Sequence, residues 1–196
     1  MRIAGVILAG GQASRLGGGD KPLLRIGAHT MLDRIVAALQ SETAAIAISA
    51  NGDPARFAAF GLPVLPDGAF ARQGPLAGVL AGLDWAAAID ARALLTVPGD
   101  TPFVPEGLAA ALAPPPACAA SNGRVHHLVA LWPIACREHL RRLLAAPGAR
   151  AVVRFADQIG MRTVDFPVGK WDPFLNVNTA ADLTTARALA PERDTA

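Results

Sequence analysis

A chain of 196 residues with 52% hydrophobic content and a mean hydropathy of +0.34 fits one folded domain and excludes general disorder. At this length roughly 70% of the unfolded surface is buried on folding, so no disulfide or metal staple is needed. The formal net charge of +2 is too weak to argue for a nucleic-acid or membrane surface.

Lys21 and Lys170 are the lysines among 18 basic residues, the rest being arginine, which a genome composition bias explains most simply. Cys118 and Cys136 lack CxxC or His-paired spacing and read as small buried hydrophobes. The start, MRIAGVILAGG, is apolar only briefly before a Gly-rich, charged segment, so it reads as a buried strand and not a signal peptide. No apolar stretch reaches the ~18 residues of a membrane helix without charge or proline. A soluble, cytoplasmic protein is expected, with no nucleic-acid or membrane partner.

Strand and helix signals alternate along the chain. Ile3–Ala9 reads as a buried strand, followed by a Gly-rich loop over Gly10–Asp20. Met31, Leu32, Ile35, Val36 and Leu39 recur at helical spacing and predict an amphipathic helix over Thr30–Gln40. Ala45–Ala50 is the second strand. Asp53-Pro54 opens a short helix to Phe60, and Val64–Leu65 is a brief strand ending at Asp67. Gly74-Pro75 opens a helix to Ala88, and Ala93–Val97 is the next strand, closed by Asp100-Thr-Pro.

Further on, Pro105–Leu112 reads as helix and Leu128–Trp132 as strand. Ala135–Ala145 and Ala149–Gln158 read as helices and Met161–Phe166 as strand. Thr179–Leu189 is a helix opened by a Thr179/Asp182 capping box, and residues 191–196 are expected to fray. This alternation implies an α/β fold with a mainly parallel sheet covered on both faces. Residues 1–190 would form that single domain. Ligands bind such sheets beyond the carboxyl ends of the strands, which singles out Gly10–Lys21, Ser49–Asn51, Asp67 and Asp100.

The sharpest feature is LAGGQASRLGGGDK at positions 8 to 21. Its five glycines let the backbone approach a ligand and turn successive amides toward phosphate oxygens, with Arg15 and Lys21 adding positive charge. The string is neither a Walker A loop nor a GxGxxG fingerprint. Asp100 offers a carboxylate at the sheet edge, a hard partner for Mg²⁺, although Asp-Thr-Pro also reads as a helix N-cap. Asp67 alone reads as a turn former. His126 and His127 adjoin on a strand and point to opposite faces, which defeats chelation by both.

LAGG-x-x-x-R-x-G-G-x-DK resembles the signature loop of the molybdenum cofactor guanylyltransferases, the MobA family. The resemblance continues through Gly74-Pro-Leu-Ala-Gly78, VPGDTPFVP at 97 to 105 and FLNVNT at 174 to 179. It implies a Rossmann-like three-layer nucleotidyltransferase fold. Nucleotide contacts are implied at Leu8, Ala9, Gly10, Gly11, Lys21, Ser49, Asn51, Asp67 and Asp100, with Asp67 toward the guanine edge or a ribose hydroxyl. Ser49 stands where the family often has Asn. Asn176 and Asn178 are implied on the side of the pterin substrate, with Arg150 and Lys170 as contacts for its phosphate and His126 lining that cleft. The family usually has His-Pro where His127 stands.

The implied reaction is attack by the terminal phosphate of molybdenum-molybdopterin on the α-phosphorus of GTP, releasing pyrophosphate. Arg15, Lys21 and Asp100 would be catalytic, with Mg²⁺ on Asp100 as cofactor and no general base. Transient contact with cofactor-biosynthesis or acceptor molybdoenzymes is implied as well. Three rivals stand beside it: the cytidylyltransferase branch, which resembles LAAG where this chain has LAGG; a nucleotidyltransferase with another phosphorylated acceptor; and a catalytically silent, pyrophosphorylase-like regulatory module.

Overall fold

The computed structural model describes residues 1–10, 20–148 and 151–193. Its centre is β1 (Ile3–Leu8), flanked by two parallel neighbours, β4 (Ala45–Ser49) and β6 (Ala93–Pro98). Buried on both faces, these strands need a nearly continuous apolar run rather than alternation, and IAGVIL, AIAIS and ALLTVP supply it, with Ser49 and Thr96 as the polar residues.

Beyond β4 lies the short β5 (Val64–Leu65), also parallel. On the other side β8 (Arg124–Pro133) runs antiparallel to β6, then come β7 (Ala117–Ser121) and β9 (Arg162–Asp165). The seven-stranded order is β5-β4-β1-β6-β8-β7-β9. A separate ribbon pairs β2 (Arg25–Ile26) with β3 (His29–Thr30).

Helices cover both faces, giving the three layers expected. α1 (Met31–Gln40) and α3 (Leu108–Leu112) pack with Ile7, Ile48, Leu95 and Val97 on one face. α2 (Pro75–Ala88), α4 (Arg137–Ala145) and α5 (Val152–Gln158) cover Val6, Leu94, Ala130 and Trp132 on the other. Val6 and Ile7 are adjacent yet belong to opposite cores, as a period of two requires. α6 (Ala180–Arg193) closes a third cluster, setting Ala186 and Ala190 against Ile26, Met31 and Phe103. Cys118 and Cys136 are buried free thiols, and burial pushes Cys136 up to about 12.

Side-chain caps explain some of the boundaries. Thr30 and Asp33 form a reciprocal capping box at α1, worth about 1 kcal/mol. Thr179 and Asp182 do the same at α6. The expected helix from Pro105 begins only at Leu108, because the Glu42 carboxylate accepts from the Leu108 and Ala109 amides at 3.0 and 2.7 Å and sets the start. The Asp53–Phe60 helix is a 3₁₀ segment, Pro54–Phe60. Helix α6 runs to Arg193, past the expected end, so Pro191–Arg193 are helical rather than frayed; residues 194–196 lie outside the described residues.

The main omission of the sequence reading is the β7–β8 hairpin. β7 (ACAAS) is alanine-rich and lacks β-branched residues, so propensity hides it. The signal was Asn122-Gly123, whose φ values of 49° and 72° make the turn that joins the two strands.

Candidate active site

Four of the segments that matter leave a strand at its carboxyl end. A cleft of about 690 Å³ runs along that edge and is faced by Leu8, Ala9 and Gly10 after β1, Ser49 and Asn51 after β4, Asp67 after β5, and Asp100 after β6. Backbone bonds fix its floor: Ala9 N donates to Ser49 O at 2.8 Å and Gly99 N to Leu8 O at 2.9 Å. Gly11 and Arg15, expected at the phosphates, lie outside the described residues.

At one end of the cleft stands Lys21, its side chain only 11% exposed. Its ammonium donates to Asp100 Oδ2 at 2.8 Å and to Asn178 Oδ1 at 2.6 Å. An ammonium desolvated this far needs anionic or carbonyl partners, and these two provide them. Asp100 caps no helix, since α3 starts at Leu108 behind Gly107. The late segment is tied down separately: Val177 N donates to Asp100 O at 2.9 Å, and the Asn178 and Thr179 amides donate to the Asp182 carboxylate. Those amides, Asn178 first, hold the Asp182 carboxyl below the usual carboxylate range.

Two glycines are required by close approach. A Cβ on Gly99 would lie 2.7 Å from Pro22 Cγ, and one on Gly78 only 2.4 Å from Ser49 Oγ. The first lets Pro22 seat Lys21 beside Asp100; the second lets α2 reach the sheet where Ser49 leaves β4. The N-terminus of α2, capped by Gly74 without a side-chain bond, also faces the cleft, turning its positive end toward any anion there.

The other end is polar and open. Asn51 Nδ2 donates to Asp67 Oδ2 at 2.6 Å, and Asp67 N donates to Asn51 Oδ1 at 3.0 Å. Arg56 donates to the Asn51 carbonyl and sets its Nε 3.3 Å from Asp20 Oδ2, joining this end to the close of the Gly-rich segment. Arg72, which sequence reasoning did not single out, faces the same cleft.

Of the residues expected on the pterin side, Asn178 lies against Lys21 and Asp100 rather than apart from them. Asn176 is turned away from the cleft and accepts from Thr101 Oγ1 at 3.2 Å. Lys170 is exposed and does not face the cleft, and Arg150 lies outside the described residues.

His126 corrects an expectation: it is buried and does not line the cleft. Its Nε2 is 2.8 Å from Ser121 Oγ, which donates to Asp172 Oδ1 at 2.7 Å. A serine has one proton to give and the carboxylate can only accept, so His126 donates from Nε2. Burial lowers the imidazole pKa, against the attraction of Asp172. The ring packs on Phe174 at 5.1 Å, so this chain of bonds anchors the segment that carries Asn178.

Among the described residues no helix is long and apolar enough to cross a membrane. Residues 5–160 match the MobA-like NTP transferase domain. The molybdenum cofactor guanylyltransferase of Acidiphilium cryptum (strain JF-5) is 56% identical over 183 residues, 93% of either chain. That of Cereibacter sphaeroides is 49% identical over 96% of this chain and 97% of its own. Among solved structures, molybdopterin-guanine dinucleotide biosynthesis protein A of Archaeoglobus fulgidus superposes with a TM-score of 0.71 at 17% identity, covering 98% of this chain and 100% of its own. The 2-C-methyl-D-erythritol 4-phosphate cytidylyltransferase of Thermus thermophilus gives a TM-score of 0.66 at 21% identity, covering 97% and 100%. At these identities the two structures speak to the fold alone. The sequence relatives speak to kinship: the chain belongs to the MobA-like NTP transferase family, in its molybdenum cofactor guanylyltransferase group.

Proposed function

We propose that the protein transfers GMP from GTP to molybdenum-molybdopterin, forming the guanine dinucleotide form of the molybdenum cofactor. The observation that carries this reading is the convergence of Lys21, Asp100 and Asn178 at the carboxyl edge of the parallel strands, in a cleft of about 690 Å³. Kinship with enzymes named for this reaction supplies the acceptor.

A phosphate oxygen of the acceptor forms a bond to the α-phosphorus of GTP as the bond to the β-phosphate oxygen breaks. The leaving pyrophosphate carries away that electron pair. The acceptor is already anionic, so no general base is needed. Catalysis then rests on holding the two substrates in line and offsetting the charge between them. Lys21 binds phosphate oxygens, and the positive end of α2 favours anionic charge along the cleft wall.

Asp100 and Asn178 present two hard oxygen donors to one cation position, which the Lys21 ammonium holds at 2.8 and 2.6 Å. That donor set suits Mg²⁺, which takes one or two protein oxygens together with substrate phosphates. When bound it would neutralise triphosphate charge. Asn51 and Asp67 face the base and ribose at the opposite end. The reading places the reaction in the cytoplasm, with transient contact to enzymes that supply molybdopterin or receive the product.

The test incubates the purified protein with molybdenum-molybdopterin, Mg²⁺ and each nucleoside triphosphate in turn. Pyrophosphate and a guanine dinucleotide are expected with GTP. Release with CTP alone would move the chain to cytidylyl transfer, and release with none would leave a silent binding module.

A further inference from the structure

We infer that Arg72 reads the O6/N7 edge of guanine and is a specificity-determining residue of this site. The inference rests on the GTP reading and extends it to the chemistry of the base. Four observations lead to it.

First, Arg72 lines the cleft, is exposed, and makes no hydrogen bond or ion pair among the described residues. Other cleft-facing or adjacent cations, Lys21 and Arg56, are already engaged. Second, its backbone is left-handed, with φ of 67°. The other described non-glycine residues with positive φ are Asp90 and Asn122, types that tolerate this region in turns. An arginine gains nothing locally from it, and such outliers gather at binding sites.

Third, the sheet order separates the two ends of the cleft. Lys21 and Asp100 stand over β1 and β6, whereas Arg72 lies on the connection from β5 to α2 that also carries Asp67, and β5 is three strands from β6 in the order β5-β4-β1-β6. At about 4.8 Å per strand that is roughly 14 Å, the reach of a nucleotide from its phosphates to its base. Sharing the connection and the cleft with Asp67, Arg72 is assigned to the base end. Fourth, Asp67 shares this end and has one carboxylate oxygen bonded to Asn51, with Oδ1 accepting no hydrogen bond among the described residues. Guanine offers donors at N1 and N2 and acceptors at O6 and N7. A carboxylate serves the first edge, and an arginine fork serves the second with two parallel donors. Cytosine has no N7, and its C4 substituent is an amino donor where guanine has the O6 acceptor, so the fork loses the O6/N7 pair.

Calorimetric titration of GTP, 7-deaza-GTP, ITP and CTP with Mg²⁺, on the wild type, Arg72→Ala and Arg72→Lys, tests this. The wild type should bind 7-deaza-GTP more weakly than GTP, because N7 is gone. Arg72→Ala should bind GTP tenfold to a hundredfold more weakly, on the order expected for a bidentate contact. It should also lose the distinction between GTP and 7-deaza-GTP while keeping the wild-type ratio of GTP to ITP. Arg72→Lys, with a point charge in place of a fork, should recover only part of the loss. An unchanged melting temperature in Arg72→Ala is expected from an exposed side chain that makes no hydrogen bond or ion pair among the described residues.

Equal weakening of GTP, 7-deaza-GTP and CTP would make Arg72 a phosphate contact and overturn the inference while leaving the GTP reading intact. No weakening at all would overturn it too. A wild type that prefers CTP would instead remove the GTP reading, and this inference with it.

Discussion

At the β1–β6 end of the cleft, side chains separated by 79 and 157 positions in sequence converge on one ammonium that is only 11% exposed. At the β4–β5 end, Asn51 and Asp67, 16 positions apart, form a reciprocal pair in open solvent. The first end is charged, desolvated and fixed by three distant segments, the kind of preorganised electrostatics that stabilising a developing charge requires. The second is a solvent-facing amide and carboxylate on neighbouring loops, suited to recognising a base. The contrast predicts that substitutions at the two ends fail differently.

The largest effect should come from Asp100→Asn and Lys21→Ala, each lowering turnover on the order of 10²-fold or more while the fold is retained. Melting temperatures within a few degrees of wild type would separate lost chemistry from lost structure. Turnover near wild type at saturating Mg²⁺ would remove Asp100 from metal binding. Asp67→Ala should act on choice rather than rate, reducing the preference for GTP over CTP by about tenfold or more with modest change in saturated turnover. Loss of turnover equal to that of Asp100→Asn would erase the difference between the ends.

Between them, Gly78→Ala tests the shared floor. Its Cβ would lie 2.4 Å from Ser49 Oγ and 3.2 Å from Leu8 Cδ2, so a loss of about 1–3 kcal/mol in stability is expected. Chemical denaturation of Gly78→Ala with and without Ser49→Ala checks it, because removing Oγ should recover part of the loss. The smallest effect concerns His126, whose pKa burial sets below the ordinary 6.5. The unfolded chain then takes up the proton first, so this residue lowers stability as pH falls below about 6.5 and contributes no slope above it. Thermal melts of wild type and His126→Gln at pH 7.5 and 5.5 should show a smaller acid loss in the variant. An equal loss would assign the slope to other groups.

The parallel half of the sheet is legible in the sequence because buried strands and Gly/Pro-bounded loops leave strong local marks. The carboxyl ends of those strands then point to Ser49–Asn51, Asp67 and Asp100 from the residues alone. The partners are not legible. That Lys21 bonds both Asp100 and Asn178 is a consequence of tertiary packing across most of the chain, and no periodicity records it. Asn176 and Asn178, alike in sequence, diverge because Asn176 bonds to Thr101 and only Asn178 reaches the cleft. His126 is misplaced by sequence reasoning because an isolated histidine gives no sign of whether Ser121 and Asp172 lie behind it. Arg72 escapes notice because an arginine in a loop is ordinary; only its φ of 67° and its place on the cleft set it apart.

The central claim, that a charged end performs transfer while a polar end selects guanine, is tested most directly by competition. The protein is given equimolar GTP and CTP with Mg²⁺ and molybdenum-loaded molybdopterin, and the two dinucleotide products are quantified. A preference for GTP of at least ~100-fold, about 2.7 kcal/mol in the transition state, is predicted. Equal incorporation, or an excess of the cytosine product, would contradict it.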